Sequence, residues 1–164
     1  MIKKFLLAIM IALPLCGFAQ KFGQVDTQAI VTAMPEVTAM QTQLEASSKT
    51  YETEFQKLQE EFNKKYTEFQ QLDATTLESI KERRMQELQE LDQKIQQFRA
   101  TATQDLQQQQ EKLMAPIQQK IQDAIKAVGD EGSYTFIFEN LVPVYVGRDV
   151  VDVTPLVKAK LGLN

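Results

Sequence analysis

YETEFQKLQEEFNKKYTEFQQLDATTLESIKERRMQELQELDQKIQQF, Tyr51 to Phe98, is the centre of a longer segment, Pro35 to Val128. That segment contains no Gly and has Pro only at Pro35 and Pro116. Its apolar residues recur at steps of three and four, which sets them on one stripe of a helix. In the first half they are Val37, Met40, Leu44, Tyr51, Phe55, Leu58, Phe62, Tyr66, Phe69 and Leu72. In the second they are Leu77, Ile80, Leu88, Leu91, Ile95, Phe98, Ala102, Leu106 and Leu113. The two series mirror each other about Ala74–Thr75. Folding there sets Leu72 opposite Leu77, Phe69 opposite Ile80, Phe62 opposite Leu88, Leu58 opposite Leu91 and Phe55 opposite Ile95. Farther from the tip come Tyr51 with Phe98, Leu44 with Leu106 and Val37 with Leu113. Matching layers on two uninterrupted helices predict an antiparallel coiled coil with its turn near residues 73–76. Thr75, three residues before Glu78, has the spacing of a capping box for the second helix, and Asp73 adds negative charge there.

A two-helix hairpin has one buried seam and a large surface, so it needs support at its base, and self-association is one source of that support. The chain has 164 residues, no His, no Trp and one Cys. It therefore lacks the usual general base and the commonest metal ligand, and it cannot form an intramolecular disulfide. A formal net charge of −4 leaves no nucleic-acid footprint.

Residues 1–19 read as a secretory leader, with Lys3 and Lys4 followed by an apolar run from Phe5 to Leu15 that is too short to span a bilayer. Gly17 and Ala19 are the small residues a signal peptidase needs, so cleavage falls between Ala19 and Gln20. Acylation of Cys16 is the alternative, but Leu15 stands where that signal wants a small residue. Loss of Lys3 and Lys4 brings the net charge to about −6.

Phe22 to Asp26 alternates as a short strand, and Asp26 or Thr27 caps a short helix ending near Met34, with Ile30, Val31 and Met34 on one face. Pro35 ends it and suits the first turn of the next helix. Past Leu113 the rising arm has no positions left to pair, so Ile117, Ile121, Ala124, Ile125 and Val128 are expected on the base. Pro116 should kink the helix, and Gly129 and Gly132 should end it. YTFIFE, Tyr134 to Glu139, is β-branched and aromatic and predicts a strand. Val144 to Val146 predicts another, and Thr154 followed by Pro155 an N-cap for a closing helix. The expected fold is α+β, mostly α. Residues 20–35 and 114–164 form a small β-containing base from both chain ends, and residues 36–113 form the hairpin. Val25, Phe136, Phe138, Val144 and Val146 are the candidate core of the base or of an oligomer.

The arm from Glu36 to Thr75 is acidic and that from Thr76 to Val128 is balanced. The densest basic cluster, Lys81, Arg83 and Arg84, lies just past the tip among Glu78, Glu82 and Glu87. It is the candidate for peripheral contact with an anionic membrane surface. The Gln-rich run Gln104–Gln110 stays in helical phase with Leu106 and Leu113 and reads as a polar coiled-coil face.

Taken with the leader, FGQVDTQAIVTAMPEV, the hairpin, MAPIQQKIQDAIKAVGDEGSYTFIFEN and DVTPLVKAKLG resemble the Skp/OmpH family of periplasmic chaperones across essentially the whole mature chain. The resemblance implies a homotrimer with a small β-body and three helical tentacles around a cavity. It also implies an ATP-independent holdase that receives unfolded outer-membrane β-barrel proteins. The resemblance implies basic tentacles, as in the well-studied members of the family, whereas this chain is acidic, so electrostatic steering of acidic clients should be weak or reversed. The competing reading is a structural coiled-coil spacer or tether of the cell envelope. No nucleophile–base pair and no phosphate-binding Gly loop is present, so no enzyme, cofactor or metal is expected.

Overall fold

The computed structural model describes residues 20–163, so the leader, with Cys16 and Ala19, lies outside the described residues. Two compact units divide the chain: Val31–Lys120 forms one, and the segments up to Ile30 and from Ile121 onward form the other.

The first unit holds the hairpin. Helix α2 spans Pro35–Gln70 and opens on Pro35, whose missing N–H costs nothing in a first turn. Its 36 residues give a length of about 54 Å at 1.5 Å per residue. Helix α3 begins at Glu78 and runs to Gly132. Leu58, Leu91 and Ile95 form the buried centre of the seam, with Phe55, Phe62 and Phe98 packed half-buried against them. Tyr51 meets Phe98 edge-on at 5.9 Å, the pairing expected from the mirror pattern.

The turn is built differently from the expected capping box. Asp73 Oδ1 accepts hydrogen bonds from both the Thr75 N–H (2.8 Å) and the Thr75 hydroxyl (2.9 Å), an Asx-type turn. Thr75 is therefore committed to the turn, and α3 starts only at Glu78. Past Val37 and Leu113 the two helices are still tied at the surface, where Lys120 Nζ bonds Glu36 Oε1 at 2.6 Å. Ile117, expected on the base, is buried and belongs to the hairpin unit. The helix continues through Pro116, whose missing N–H deprives the Lys112 carbonyl of its helical donor.

The second unit is organised on strand β1, Phe22–Val25. Strand β2, Phe136–Glu139, and strand β3, Val151–Asp152, flank it in the order β2-β1-β3, and both run parallel to it. Parallel neighbours need a crossover. The long helices supply the one between β1 and β2, and residues 140–150 carry the chain from one edge of β1 to the other. This corrects the expected strand at Val144–Val146, which is irregular in the structure. Directly after β2 and beyond Pro143, which has no N–H, those residues are in transit rather than in the ladder. The third strand forms where Val153 N can donate to Gln24 O at 2.9 Å.

Along β1 the alternation holds: Gly23 and Val25 are buried, and Phe22 and Gln24 face the other way. Gly23 is there for space, since a Cβ would stand 3.2 Å from each of Ile137, Tyr134 and Val153. Val153 and Val157 are completely buried, as is Ile30 on helix α1, Thr27–Ala33. Asp26 Oδ1 accepts the Ala29 N–H at 2.7 Å, the expected N-cap. Helix α4 spans Thr154–Lys160 and departs from expectation at its start. Asp152 Oδ1 accepts the Thr154 N–H at 2.9 Å, while the Thr154 hydroxyl accepts the Asp26 N–H at 2.9 Å, stitching the two chain ends together.

Helix α3 ends in a Schellman motif. Tyr134 N donates to Gly129 O at 3.0 Å and Ser133 N to Asp130 O at 3.3 Å. Gly129 therefore lies inside the helix, and the left-handed residue is Ser133, with φ of 53°. Gly132 serves contact instead, because a Cβ there would fall 2.3 Å from the Tyr134 ring. Since only Gly enters the left-handed region freely, Ser133→Gly is expected to stabilise the protein by about 0.5–1 kcal/mol. Denaturant unfolding of both proteins measures it.

Candidate interaction surfaces

The outer face of the small sheet carries three aromatic rings in a ladder. Phe22 pairs in register with Phe136, and Gln24 with Phe138. The Phe22 and Phe136 rings are almost parallel, with centroids 6.4 Å apart, and Phe138 lies 6.4 Å from Phe22 and 5.7 Å from Phe136. Within one chain these rings are not covered: Phe136 is 58% exposed. The crossing segment continues the patch through Val142 and Tyr145, which are exposed, and Leu141 and Val144 in the same segment are exposed as well, Val144 at 106% of its reference area. Phe22, Phe138, Val142, Pro143 and Tyr145 help to line an apolar hollow of about 210 Å³. A contiguous apolar surface of this kind marks an interaction site.

The five residues expected in a core thus divide. Val25 lies under the sheet and is buried, whereas Phe136, Phe138, Val144 and Val146 are exposed in the single chain. Sequence reasoning did not place Phe22, Val142 and Tyr145 in this surface. For Phe22 the cue was its parity with Gln24, which set it on the face opposite Val25. For the others it was LVPVYV, an apolar run broken by Pro143.

The hairpin carries a second surface. A two-helix seam covers its aromatic residues on one side only, so Tyr51, Phe55, Phe62 and Phe98 remain partly exposed. The Arg99 guanidinium lies 4.4 Å above the Phe55 ring. Together with Tyr51, Phe98 and Ala102 these residues line an open hollow of about 490 Å³.

Next to it a polar layer ties the arms. The Tyr51 hydroxyl donates to Asp105 Oδ2 at 2.5 Å, Gln109 Nε2 donates to the same oxygen at 2.6 Å, and Ser47 donates to Gln109 Oε1 at 2.9 Å. The bond from Tyr51 holds the Asp105 carboxyl below its ordinary range, with Gln109 second. The same bond, from the phenol's side, pushes the Tyr51 hydroxyl up. Glu36 is lowered by its bond to Lys120, and Glu87 by its bond to Arg84. Carboxylates lowered in the folded state stabilise it above their unfolded values, about 4. That stabilisation is lost as pH falls through the lowered values. The hairpin's melting temperature should therefore be flat from neutral pH to about pH 5 and decline below about pH 4. Circular dichroism across that range reads it, and a melting temperature that rises on acidification contradicts it.

The basic cluster past the tip is locally neutralised. Arg84 lies 3.0 Å and Arg83 3.7 Å from Glu87, Lys65 reaches Glu87 at 3.4 Å, and Lys81 lies 3.7 Å from Glu78. Glu87 thus gathers three cations, and the tip presents alternating charge rather than a positive patch. Of the two residues at the expected cleavage point, Ala19 lies outside the described residues and Gln20 is exposed.

The sequence model of the family described as outer membrane protein (OmpH-like) matches residues 21–161. The chain belongs to that family. The match spans β1 through α4, so it takes in the aromatic sheet face and the whole hairpin. The OmpH-like family is a family of periplasmic chaperones associated with outer-membrane proteins, and the resemblance seen in the sequence is thereby established. The mostly helical chain with a small sheet drawn from both its ends fits an OmpH-like fold. No curated protein matches the chain. Among the described residues, no helix is long and apolar enough to cross a membrane.

Proposed function

We propose that this chain is an ATP-independent periplasmic holdase that keeps unfolded outer-membrane β-barrel proteins from aggregating. It works as a homotrimer exported by a cleavable leader. The observation that carries the reading is the Phe22–Phe136–Phe138 ladder with the exposed segment beyond it, on the sheet of an OmpH-like chain. A three-stranded sheet with one apolar face open is too small to be content alone, and sharing that face among copies removes the exposure. The hairpins then stand around a cavity as client-holding arms.

How the arms hold their clients differs from the basic members of the family. The rising arm is acidic and the tip charges are paired, so capture rests on confinement and on many weak apolar contacts. The half-exposed aromatic residues Tyr51, Phe55 and Phe98 are the contacts on offer. Light scattering of the mature protein should give three times the chain mass, and it should hold an unfolded β-barrel protein soluble as well in high salt as in low. A monomeric mass removes the cavity. Failure to suppress aggregation leaves a spacer or tether of the envelope as the reading. Client release on raising salt shows that charge, not apolar contact, does the holding.

A further inference from the structure

We propose that Gln20 is a modification site: once the leader is removed, its α-amine closes on its own side-chain amide and the mature chain begins with pyroglutamate. The inference rests on export with cleavage after Ala19. The α-nitrogen attacks Cδ, a Cδ–N bond forms, the Cδ–Nε2 bond breaks, and the amide nitrogen leaves as ammonia with the proton that the amine gives up. The product is a five-membered lactam. The reaction needs no oxidant, reductant or second substrate, because the nucleophile and its target belong to one residue, and such intramolecular pairs have high effective molarity.

The structure places Gln20 where this closure is unhindered. Gln20 is exposed, lies outside any helix or strand, and makes no hydrogen bond to another described residue. Fixed structure begins one residue later. Lys21 O accepts the Thr135 N–H at 2.7 Å, Lys21 Nζ donates to Gly132 O at 3.1 Å, and the same ammonium sits 4.0 Å over the Tyr134 ring. Closure removes the charge of the terminal amine.

The position of β1 gives the modification a purpose. β1 is the central strand of the sheet, hydrogen-bonded on both edges, and it starts only two residues after Gln20. Trimming from a free N-terminus would take Gln20, then the Lys21 anchor, then Phe22 of the aromatic ladder. A lactam leaves no free amine for an aminopeptidase to recognise, so the strand that organises the base is shielded by one cyclised residue.

The test is the intact mass and terminal-peptide sequence of mature protein recovered from the periplasm of cells producing the full chain. The expected terminal peptide starts at residue 20 and is lighter than its unmodified sequence by one ammonia. Gln20→Ser, which has no side-chain amide to lose, should start at the same residue with its full mass. A terminal peptide that starts at Gln20 with full mass overturns the cyclisation and leaves the cleavage point standing. A chain starting elsewhere, including one acylated at Cys16, overturns both. An ammonia missing from the terminal peptide of Gln20→Ser as well overturns the assignment to Gln20.

Discussion

Phe136→Asp combined with Phe138→Asp is expected to reduce the solution mass of the mature protein to that of one chain while leaving its helical content unchanged. Both residues sit on the open face of β2, stacked on Phe22 and uncovered within the chain. Their loss therefore removes little from the fold of a single copy. In an assembly they become buried aromatic anchors, and truncating such an anchor typically costs about 2 kcal/mol or more. Two of them, each replaced by a charge that association would desolvate, weaken association by roughly a thousandfold or more. Under the proposed function the cavity needs the assembly, so protection of an unfolded β-barrel protein should disappear with it. Light scattering, circular dichroism and the aggregation assay read the three consequences together. Val144→Asp is the companion variant. Val144 is irregular and fully exposed, so no role within one chain can explain an effect there. If both variants keep the parental mass, the aromatic face is not where copies meet.

The hairpin was legible in the sequence because its evidence is local and repeated: every three or four residues the same stripe returns, and a mirrored stripe has one natural fold-back point. Its finer contacts were not. Tyr51 meets Phe98 as the mirror requires, yet its hydroxyl bonds Asp105, two turns farther from the tip. Helical side chains lean toward their own N-terminus. On α2 that is away from the tip and on α3 toward it, so long polar side chains meet beyond their backbone opposites. Ser47 with Gln109 and Glu36 with Lys120 are displaced in the same sense.

The sheet was half legible. Alternation in Phe22–Val25 and in YTFIFE marked β1 and β2 and set Phe136 and Phe138 on one face. Parallel pairing across the whole hairpin leaves no local trace, and a two-residue β3 is too short for any alternation. The Val-rich run at Val144–Val146 therefore drew an expectation that belonged at Val151–Asp152. Burial was the least legible property. An exposed Phe138 and a buried Val25 read alike in a sequence, because the pattern reports which face a residue is on and not what covers it. The Schellman end of α3 was missed by one residue for a similar reason. Ser133 takes the left-handed conformation that Gly132 advertises, and Gly132 is kept small by the Tyr134 ring.

Leu91→Ala is expected to destabilise the hairpin by about 2–3 kcal/mol, the lower part of the range for emptying a buried Leu site. Leu91 is buried in the seam beside Leu58 and Ile95, and Phe55, Phe62 and Phe98 close the sides of that cluster. No second layer of core backs the two helices here, so water can enter the space that Ala leaves, which keeps the cost below that of a sealed cavity. Leu77, in the turn ahead of α3, is the control. It is 68% exposed, and Leu77→Ala should change stability by no more than about 0.5 kcal/mol. The loss should also be local, because the chain has two compact units. Hydrogen exchange should quicken at amides of α2 and α3 around Leu58 and Leu91, while β1 and β2 amides keep their protection. Equal effects of Leu91→Ala and Leu77→Ala would mean that the seam is not what holds the arms together. Under the proposed function the consequence reaches the client. An arm that opens at its middle cannot confine, so Leu91→Ala should release a bound β-barrel protein faster while the trimer mass stays unchanged. That separates it from the sheet-face variants, which should lose the trimer first.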